Sequence, residues 1–572
     1  MGLEKTIKTD VVVVGGGGAG CRAAVAAHDA GARTILVLKG TMGSSGATVA
    51  PGRGVAWQAA DGCSAPEDSP AVFLDNILDA AAGMAAPRLS RILVYEIIDR
   101  MAEMECWGLQ FVPSAEGERK RHYTAYSCFG NRPRAHCILN SGHGHAGEIL
   151  MVLKRQMEMR DIEIHEHVFI TDLVVDNGLC RGALALGPDG QVILYQAGAV
   201  VLSAGGARQI FPGAGRHTID TTGDGYAAAL RAGADLTNME YCQYMLTPVE
   251  AVPMQVPGDP WALFPQVRNR LGQDILAAYL PSEVAREQVF WDRTLHNPFS
   301  TRDNSRWLDI AISTEINEGR GTPQGAILVD FSKADLANFK PSRRFHLPQD
   351  YTAPVILPEK PLLIRNTAHA VNGGVRIDEN AQSTLPGLFA AGEVAAGAHG
   401  ADRLGGGMVT NCQVFGCRAG KYAAEFARAA GNDDLPNSSL EGPLARLRAY
   451  GLGDRSADEV FATLQKMTGR HLMVLRSENG LKSLLGKIEE LRADWLPELA
   501  SGGFLQLRRA FEASNSLQVA ELMARAALAR QESRGNHYRV DFPDRDDEHW
   551  QINIIFRQAG GVLHSETGLL EI

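Results

Sequence analysis

Gly15, Gly17 and Gly20 follow the run Asp10-Val11-Val12-Val13-Val14 almost at the start of the chain. A short β-branched run of this kind reads as a buried parallel strand. Glycines at this spacing let the chain turn tightly, approach a pyrophosphate closely and pack a helix on the strand. Gly18 and Ala19 lead into an Ala-rich helix, Cys21 to Ala30, whose N-terminal amides aim at phosphate. The chemistry implied is dinucleotide binding, with the reaction itself carried by a cofactor. One position departs from the usual pattern. About 20 residues on, where an acidic residue usually holds the ribose hydroxyls, stands Leu38, followed by Lys39 and Gly40. The adenosine ribose must then be held by backbone or by Ser44 and Ser45, beside Gly46.

The elements that position these residues are legible as a pattern. A second strand, Thr34 to Leu38, follows at βαβ spacing. Residues 66 to 112 carry helical apolar spacing, with Asp68 or Ser69 as N-cap. Residues 165 to 206 read as strands with turns at Asp176-Asn177-Gly178 and Pro188-Asp189-Gly190. They end in Ala199-Val200-Val201-Leu202-Ser203-Ala204-Gly205-Gly206, a second apolar strand running into glycine. Residues 245 to 360 change texture, with Trp261, Trp291, Trp307 and a Pro-rich run, and read as an inserted domain. The βα texture returns at Gly387 to Glu393, residues 440 to 533 read helical, and the tail from His549 holds strand-like pieces. The fold expected is α/β: a discontinuous Rossmann-like domain (1–244 and 361–435), an inserted cap (245–360) and a C-terminal helical domain (436–572). Ligands often bind between such domains.

The bulk numbers narrow the classes. At 572 residues the chain has room for about three to four domains. Its 45% hydrophobic and 21% charged residues are ordinary for a globular core. A net charge of -10 argues against a nucleic-acid partner. Nine cysteines include no C-x-x-C pair, so no iron–sulfur or zinc spacing is present, and they read as free thiols in a reducing cytoplasm. No run of about 18 apolar residues exists to span a membrane, and no apolar leader precedes the first strand. His143 and His145, in Ser141-Gly142-His143-Gly144-His145, leave a metal role open beside the more ordinary reading of loop packing.

Several motifs in order resemble one family. They are the N-terminal glycines; Leu202 to Gly206; Thr222-Gly223-Asp224-Gly225; Glu315 to Gly321; His369-Ala370-Val371-Asn372-Gly373-Gly374-Val375; Gly392-Glu393; His399-Gly400-Ala401-Asp402-Arg403-Leu404-Gly405; and Arg530 to Arg539. Together the chain resembles, over nearly its whole length, the flavoprotein subunit of succinate dehydrogenase and fumarate reductase, with L-aspartate oxidase and adenylylsulfate reductase. The resemblance implies FAD, a cap over the isoalloxazine, and hydride transfer between flavin N5 and a carbon of a small carboxylate. It implies substrate contacts at His369, in an H-Y-T-M-G-G-like motif, and at Arg403, in an H-G-A-N-R-L-like motif, where arginine suits planar bidentate recognition. Glu393 falls at the ribitol, His399 close to flavin or substrate. Ala204, Gly205, Asp224, Gly407 and Met408 complete the expected cofactor set. For the proton-shuttling arginine, Arg302-Asp303 matches the family dipeptide but lies three residues too far from Glu315, and Arg306 is nearer in spacing. Both stay candidates.

Two departures bear on function. The membrane-bound enzymes tether FAD through a histidine soon after the second strand, and none occurs here from 40 to 60, so FAD is expected to be non-covalent. A further substrate histidine of the family falls at Met245 in Glu240-Tyr241-Cys242-Gln243-Tyr244-Met245-Leu246-Thr247-Pro248. A thioether there cannot hold a carboxylate, so the substrate is expected not to be a standard C4 dicarboxylate. With no cluster ligands of its own, the chain is expected to pair with a separate iron–sulfur protein. A homo-oligomer is equally open. The competing readings are an oxygen-reducing oxidase resembling L-aspartate oxidase, a protein like the flavin-bearing chain of adenylylsulfate reductase, and a flavin-binding electron-transfer module without a working site.

Overall fold

The computed structural model describes residues 2–49, 57–60, 67–109, 123–126, 128–130, 133–137, 147–215, 218–249, 258–333, 360–450 and 453–569. Its central sheet has seven strands. Four of them, Glu163–His165, Thr34–Val37, Lys5–Val14 and Val192–Leu202, run parallel in that spatial order, and Leu388–Ala390 adds in parallel beside the last. Leu179–Leu186 and Phe169–Asp176 extend the sheet as an antiparallel meander, turning at Asn177-Gly178, both with positive φ. Val11 to Val14 are almost wholly buried because helices cover both faces of the sheet.

Register decides where the site lies. Val14 pairs with Val37 and with Leu202, and Leu202 pairs with Ala390. The carboxyl ends of four strands therefore finish side by side, at Gly15, Leu38, Ser203 and Ala391, which is where open α/β sheets bind ligands. Helix Gly18–Asp29 crosses helix Gly407–Ala430 closely. A Cβ on Gly416 would lie 2.7 Å from the Ala19 carbonyl oxygen, and one on Gly420 would lie 2.1 Å from that of Ala23. The helical stretch after residue 66 divides into Pro70–Ala81 and Pro87–Cys106, broken by Ala82 and Gly83 in the left-handed region and restarted at Pro87. Ser69 caps the first, accepting from the Val72 amide.

A second core lies over this sheet. Strands Cys242–Pro248, Leu362–Val371, Ile327–Asp330 and Gln266–Arg268 form an antiparallel sheet. It packs with Arg286–Arg293 and Arg306–Asn317 around Leu246, Trp261, Phe290, Ile312 and Ile364. Helices Ala457–His471, Glu478–Glu490 and Phe504–Ala529 join the first core instead. The hairpin Asn553–Ala559 and Val562–Gly568 attaches to Leu236–Thr237 at a small sheet. Buried ion pairs Arg530–Glu240, Arg530–Glu532 and Arg534–Glu532 fasten this C-terminal part beneath the start of the Cys242–Pro248 strand. The fold is thus α/β, with a Rossmann-like sheet, a covering domain and C-terminal helices.

Candidate active site

The strand ends open into a cleft enclosing about 1510 Å³, including its mouth. Gly15 to Ala19 form one wall. Gly15 has φ +107°, and a Cβ there would strike the Ser203 carbonyl oxygen at 2.4 Å. At Gly17 a Cβ would meet only Thr48 Oγ1, at 3.6 Å, so it would project into the cleft. Gly20 serves differently: a Cβ would lie 1.8 Å from the Gly15 carbonyl oxygen, so its role is to close the strand–helix turn. The Thr48 hydroxyl accepts from the Gly18 amide, bringing the Ser45–Thr48 segment across the turn. Of the other expected cofactor residues, Lys39, Gly40, Ser45, Gly46, Ala204, Gly205, Asp224, Glu393 and Met408 line the cleft. Ser44 and Gly407 stand outside that lining; the Ser44 hydroxyl turns back to the Thr41 carbonyl.

At the end by Leu38, Lys39 does not stand as a free cation. Its ammonium reaches Asp224 Oδ2 at 2.7 Å, Thr222 Oγ1 at 2.8 Å and Glu512 Oε1 at 3.0 Å. Burial works against this charge, but Asp224 and Glu512 together hold its pKa above the ordinary lysine value. Glu512 is drawn down to about 2: burial opposes its charge, and Lys39 and Arg508 outweigh it. Asp220, which also lines the cleft, accepts from Arg508 Nη2 at 2.8 Å.

At the other end, Glu393 sits at the turn after Leu388–Ala390, with Oε1 accepting from the Val371 amide at 3.0 Å. A Cβ on Gly206 would lie 2.1 Å from that oxygen, so any larger residue there would displace the Glu393 carboxylate. Burial raises the Glu393 pKa. His369 comes from the covering sheet. Gln243 pairs with Ala370 and Tyr244 with Ala368, which leaves His369 as the extra residue of a β-bulge. Bulges re-aim side chains of this kind. Burial, then the charges of Arg403 and Arg208, hold its imidazole well below the ordinary histidine pKa. His399 is lowered to about 3 by burial and by Arg403. Arg403, itself buried, donates from Nη1 to the Leu404 carbonyl, while its Nε has no partner among the described residues. Gln243 Nε2 holds its carbonyl, at 3.0 Å. Gly407 completes the packing, since a Cβ there would press on His399 and Arg403.

Arg208 was not foreseen. It follows the Ser203–Gly206 turn on the short helix Arg208–Ile210, and its guanidinium is close enough to Glu393 and His369 to act on both. It makes no side-chain hydrogen bond among the described residues, and its Nε is buried without a partner. Its signal was its position directly after a Gly-Gly turn, which no periodicity marks as chemistry.

Arg302 and Arg306 part company. Arg302 Nη2 reaches Asp79 Oδ2 at 2.6 Å, and its guanidinium lies over the Phe129 ring, 5.4 Å from the centroid. Phe129 has φ +67°, a strained conformation for an aromatic residue, and stacks on His296 at 4.7 Å. Its neighbour Cys128 packs at Gly405, next to Arg403. Arg306 instead donates to the Thr301 carbonyl and faces Tyr538. Asp402, buried beside Arg403, accepts from the Ser300 hydroxyl at 2.6 Å; burial raises its pKa to about 6, opposed by Ser300 and Arg302. Met245 is buried in the strand opposite Thr367 and bridges to Pro298. Arg208, His369, Arg403, His399 and Glu393 are thus brought together; Arg302 acts on Asp402, the chain neighbour of Arg403, while Arg306 Nε is buried with no hydrogen-bond partner among the described residues. His143 and His145 lie outside the described residues. No cluster of metal-ligating side chains occurs among the described residues.

The sequence comparisons agree with this geometry. A family model described as FAD binding domain matches residues 10–409, and one described as fumarate reductase flavoprotein C-term matches 462–564. A fumarate reductase (CoM/CoB) chain of Methanothermobacter marburgensis is 34% identical, with 96% of this chain and 97% of that protein aligned. The chain belongs to the fumarate reductase and succinate dehydrogenase flavoprotein family. The fumarate reductase flavoprotein subunit of Mycobacterium tuberculosis is 30% identical over 98% of this chain and 96% of its own length. Among solved structures, Mycobacterium smegmatis Sdh1 in complex with UQ1 superposes with a TM-score of 0.82 at 26% identity, covering 100% of this chain and 95% of that one.

As a flavoprotein of this family the chain is an FAD-dependent oxidoreductase, and the cleft fits that cofactor. The open face at Gly17, the amide-rich turn behind it and the strand ends on either side form a cradle that any side chain at Gly17 would fill. No helix of the described residues is long and apolar enough to cross a membrane.

Proposed function

We propose that this flavoprotein moves a hydride between FAD N5 and a carbon of a small carboxylate-bearing substrate, with the FAD held non-covalently. The observation that carries this reading is the convergence of Arg403, Arg208 and His369 at the Glu393 end of the cleft. Two guanidiniums whose Nε atoms have no partner among the described residues, beside an imidazole that burial and their charges keep neutral, form a waiting anion site. Arg403 takes a carboxylate and polarises the bond next to it. His369 donates a hydrogen bond that becomes charge-assisted once the bound anion raises its pKa and the imidazole takes up a proton. Arg302 moves the proton, poised between the exposed carboxylate of Asp79 and the cluster beside Arg403.

Met245 takes a donor away from the cap strand, and Arg208 adds a cation from the sheet side. The second group of the substrate is therefore held differently from that of a standard C4 dicarboxylate. Electrons pass to a separate iron–sulfur protein. Support comes from the relatives being named as subunits and from the lack of C-x-x-C spacing in this chain.

The test is a screen of carboxylic acids against the FAD-loaded protein, read as bleaching of the oxidised flavin or as turnover with a reduced dye. Succinate is expected to leave the spectrum unchanged, and the active acid to lose about a hundredfold in kcat/KM on Arg403→Ala. Full turnover by that variant would remove Arg403 from the site.

A further inference from the structure

The strand that should carry an acid for the adenosine ribose ends in Leu38 and Lys39, and neither can accept from ribose hydroxyls. The missing acceptor must come from elsewhere along that end of the cleft. Among the described residues, three carboxylates line the cleft beside Lys39 or bond to its ammonium: Asp224, Glu512 and Asp220. Asp224 is committed on both oxygens, Oδ1 to Asn515 Nδ2 at 2.8 Å and Oδ2 to Lys39 and to the Thr222 hydroxyl. Glu512 is committed likewise, Oε1 to Lys39 and Arg508 Nε, Oε2 to Arg509 Nη1. Asp220 differs. Its Oδ1 accepts from Arg508 Nη2, and its Oδ2 has no hydrogen-bond partner among the described residues.

Position agrees with chemistry. Asp220 lines the cleft beside Lys39, Gly40 and Thr41. A Cβ built on Gly40 would lie 3.0 Å from Asp220 Oδ2 and 2.7 Å from the Ser45 hydroxyl. The free carboxylate oxygen and that hydroxyl therefore face the chain just beyond the second strand, where a dinucleotide presents its ribose. Arg508 fixes the arrangement: it donates from Nη1 to the Lys39 carbonyl at 3.0 Å while Nη2 holds Asp220. Asp220 is thus an oriented acceptor, braced by a helix from the other end of the chain.

We propose that Asp220, held by Arg508, accepts the adenosine ribose hydroxyls of FAD and replaces the acid absent from the second strand. Lys39 is left as a structural cation that neutralises Asp224 and Glu512. This assignment rests on FAD as cofactor and is independent of the substrate reading above.

The test uses apoprotein titrated with FAD and with an FAD analogue whose adenosine lacks both ribose hydroxyls, read by flavin fluorescence. A hydrogen bond to a charged acceptor predicts that the native protein binds FAD about tenfold or more tightly than the analogue. Asp220→Asn should weaken FAD binding by a similar factor, leave the analogue unchanged and so abolish the preference. Retention of the full preference in Asp220→Asn overturns the proposal. So does an equal loss of affinity for both ligands, or a native protein that does not distinguish them. Thermal unfolding of the apo forms checks folding, and Asp220→Ser carries the same comparison if the Asn variant does not fold.

Discussion

At the residue scale the anion site is defined by two buried guanidiniums, Arg403 and Arg208, that share the nearby carboxyl of Glu393, itself pushed towards its neutral form by burial. Burial, and after it the charges of Arg403 and Arg208, hold His369 well below the ordinary histidine pKa, so in the ligand-free protein the imidazole is neutral at neutral pH. A carboxylate arriving among them cancels part of that repulsion and raises the His369 pKa. Between the free and bound values, binding takes up a proton, so affinity falls as pH rises. Dissociation constants for an inhibitory carboxylate, taken from flavin spectra at and below the ordinary histidine pKa of 6.5, should weaken as pH rises by up to about tenfold per pH unit. His369→Gln should flatten that slope, and an unchanged slope would move the proton to another group. His369 and Arg403 were legible because each stands in a local motif whose register the sequence preserves. Arg208 was not, because its relation to Glu393 and His369 is made by sheet closure across some 160 to 185 residues of chain. Arg302 and Arg306 were inseparable by spacing. The structure gives them different surroundings, with Arg302 over the Phe129 ring and Arg306 at the Thr301 carbonyl.

At the element scale the strongest local signals were the buried valine strand and the glycine turn behind it, since one strand buried on both faces must be continuously apolar. The β-bulge that presents His369 left no such trace. It comes from the mismatch between two strands more than a hundred residues apart. The same holds for helix Phe504–Ala529, whose composition announces a helix but not that Arg508 and Glu512 reach the cofactor cleft. Glu512 gives this docking a pH signature. Its folded pKa of about 2 lies below the ordinary 4.5, so its contribution is complete above the unfolded value and is lost as pH falls from about 4.5 towards 2. Glu512→Gln, which leaves Lys39 and Arg508 short of a counter-charge, should lower the unfolding temperature at pH 7. It should also show a shallower loss of stability on acidification than the native protein. Parallel acid profiles in thermal unfolding would show that the carboxylate stays unpaired in solution.

At the scale of the whole molecule the chain builds two cores of unequal connection. The sheet that ends at the FAD cleft shares its core with the C-terminal helices, so Val11 to Val14 and Val519 to Met523 belong to one apolar body. The covering domain keeps its own, in which the buried Trp261 stacks on Phe290 at 6.1 Å. On the assignments proposed above, FAD would touch the first body at both ends of the sequence, through Gly15 to Ala19 and through the Lys39 and Asp220 cluster that Arg508 and Glu512 complete. A ligand that binds only the folded form stabilises it by about 2.7 kcal/mol at a hundredfold excess over Kd. Hydrogen exchange should therefore slow on FAD addition in Lys5–Val14 and, together with it, in Phe504–Ala529. Trp261→Ala should cost the covering domain about 3–5 kcal/mol and speed exchange in Gln266–Arg268 and Ile327–Asp330. The FAD-dependent protection of the other body should survive that variant, because among the described residues none of the Trp261 core lines the cleft. Protection confined to Lys5–Val14, with Phe504–Ala529 indifferent to FAD, would mean that the C-terminal helix packs on the sheet without sharing in cofactor binding.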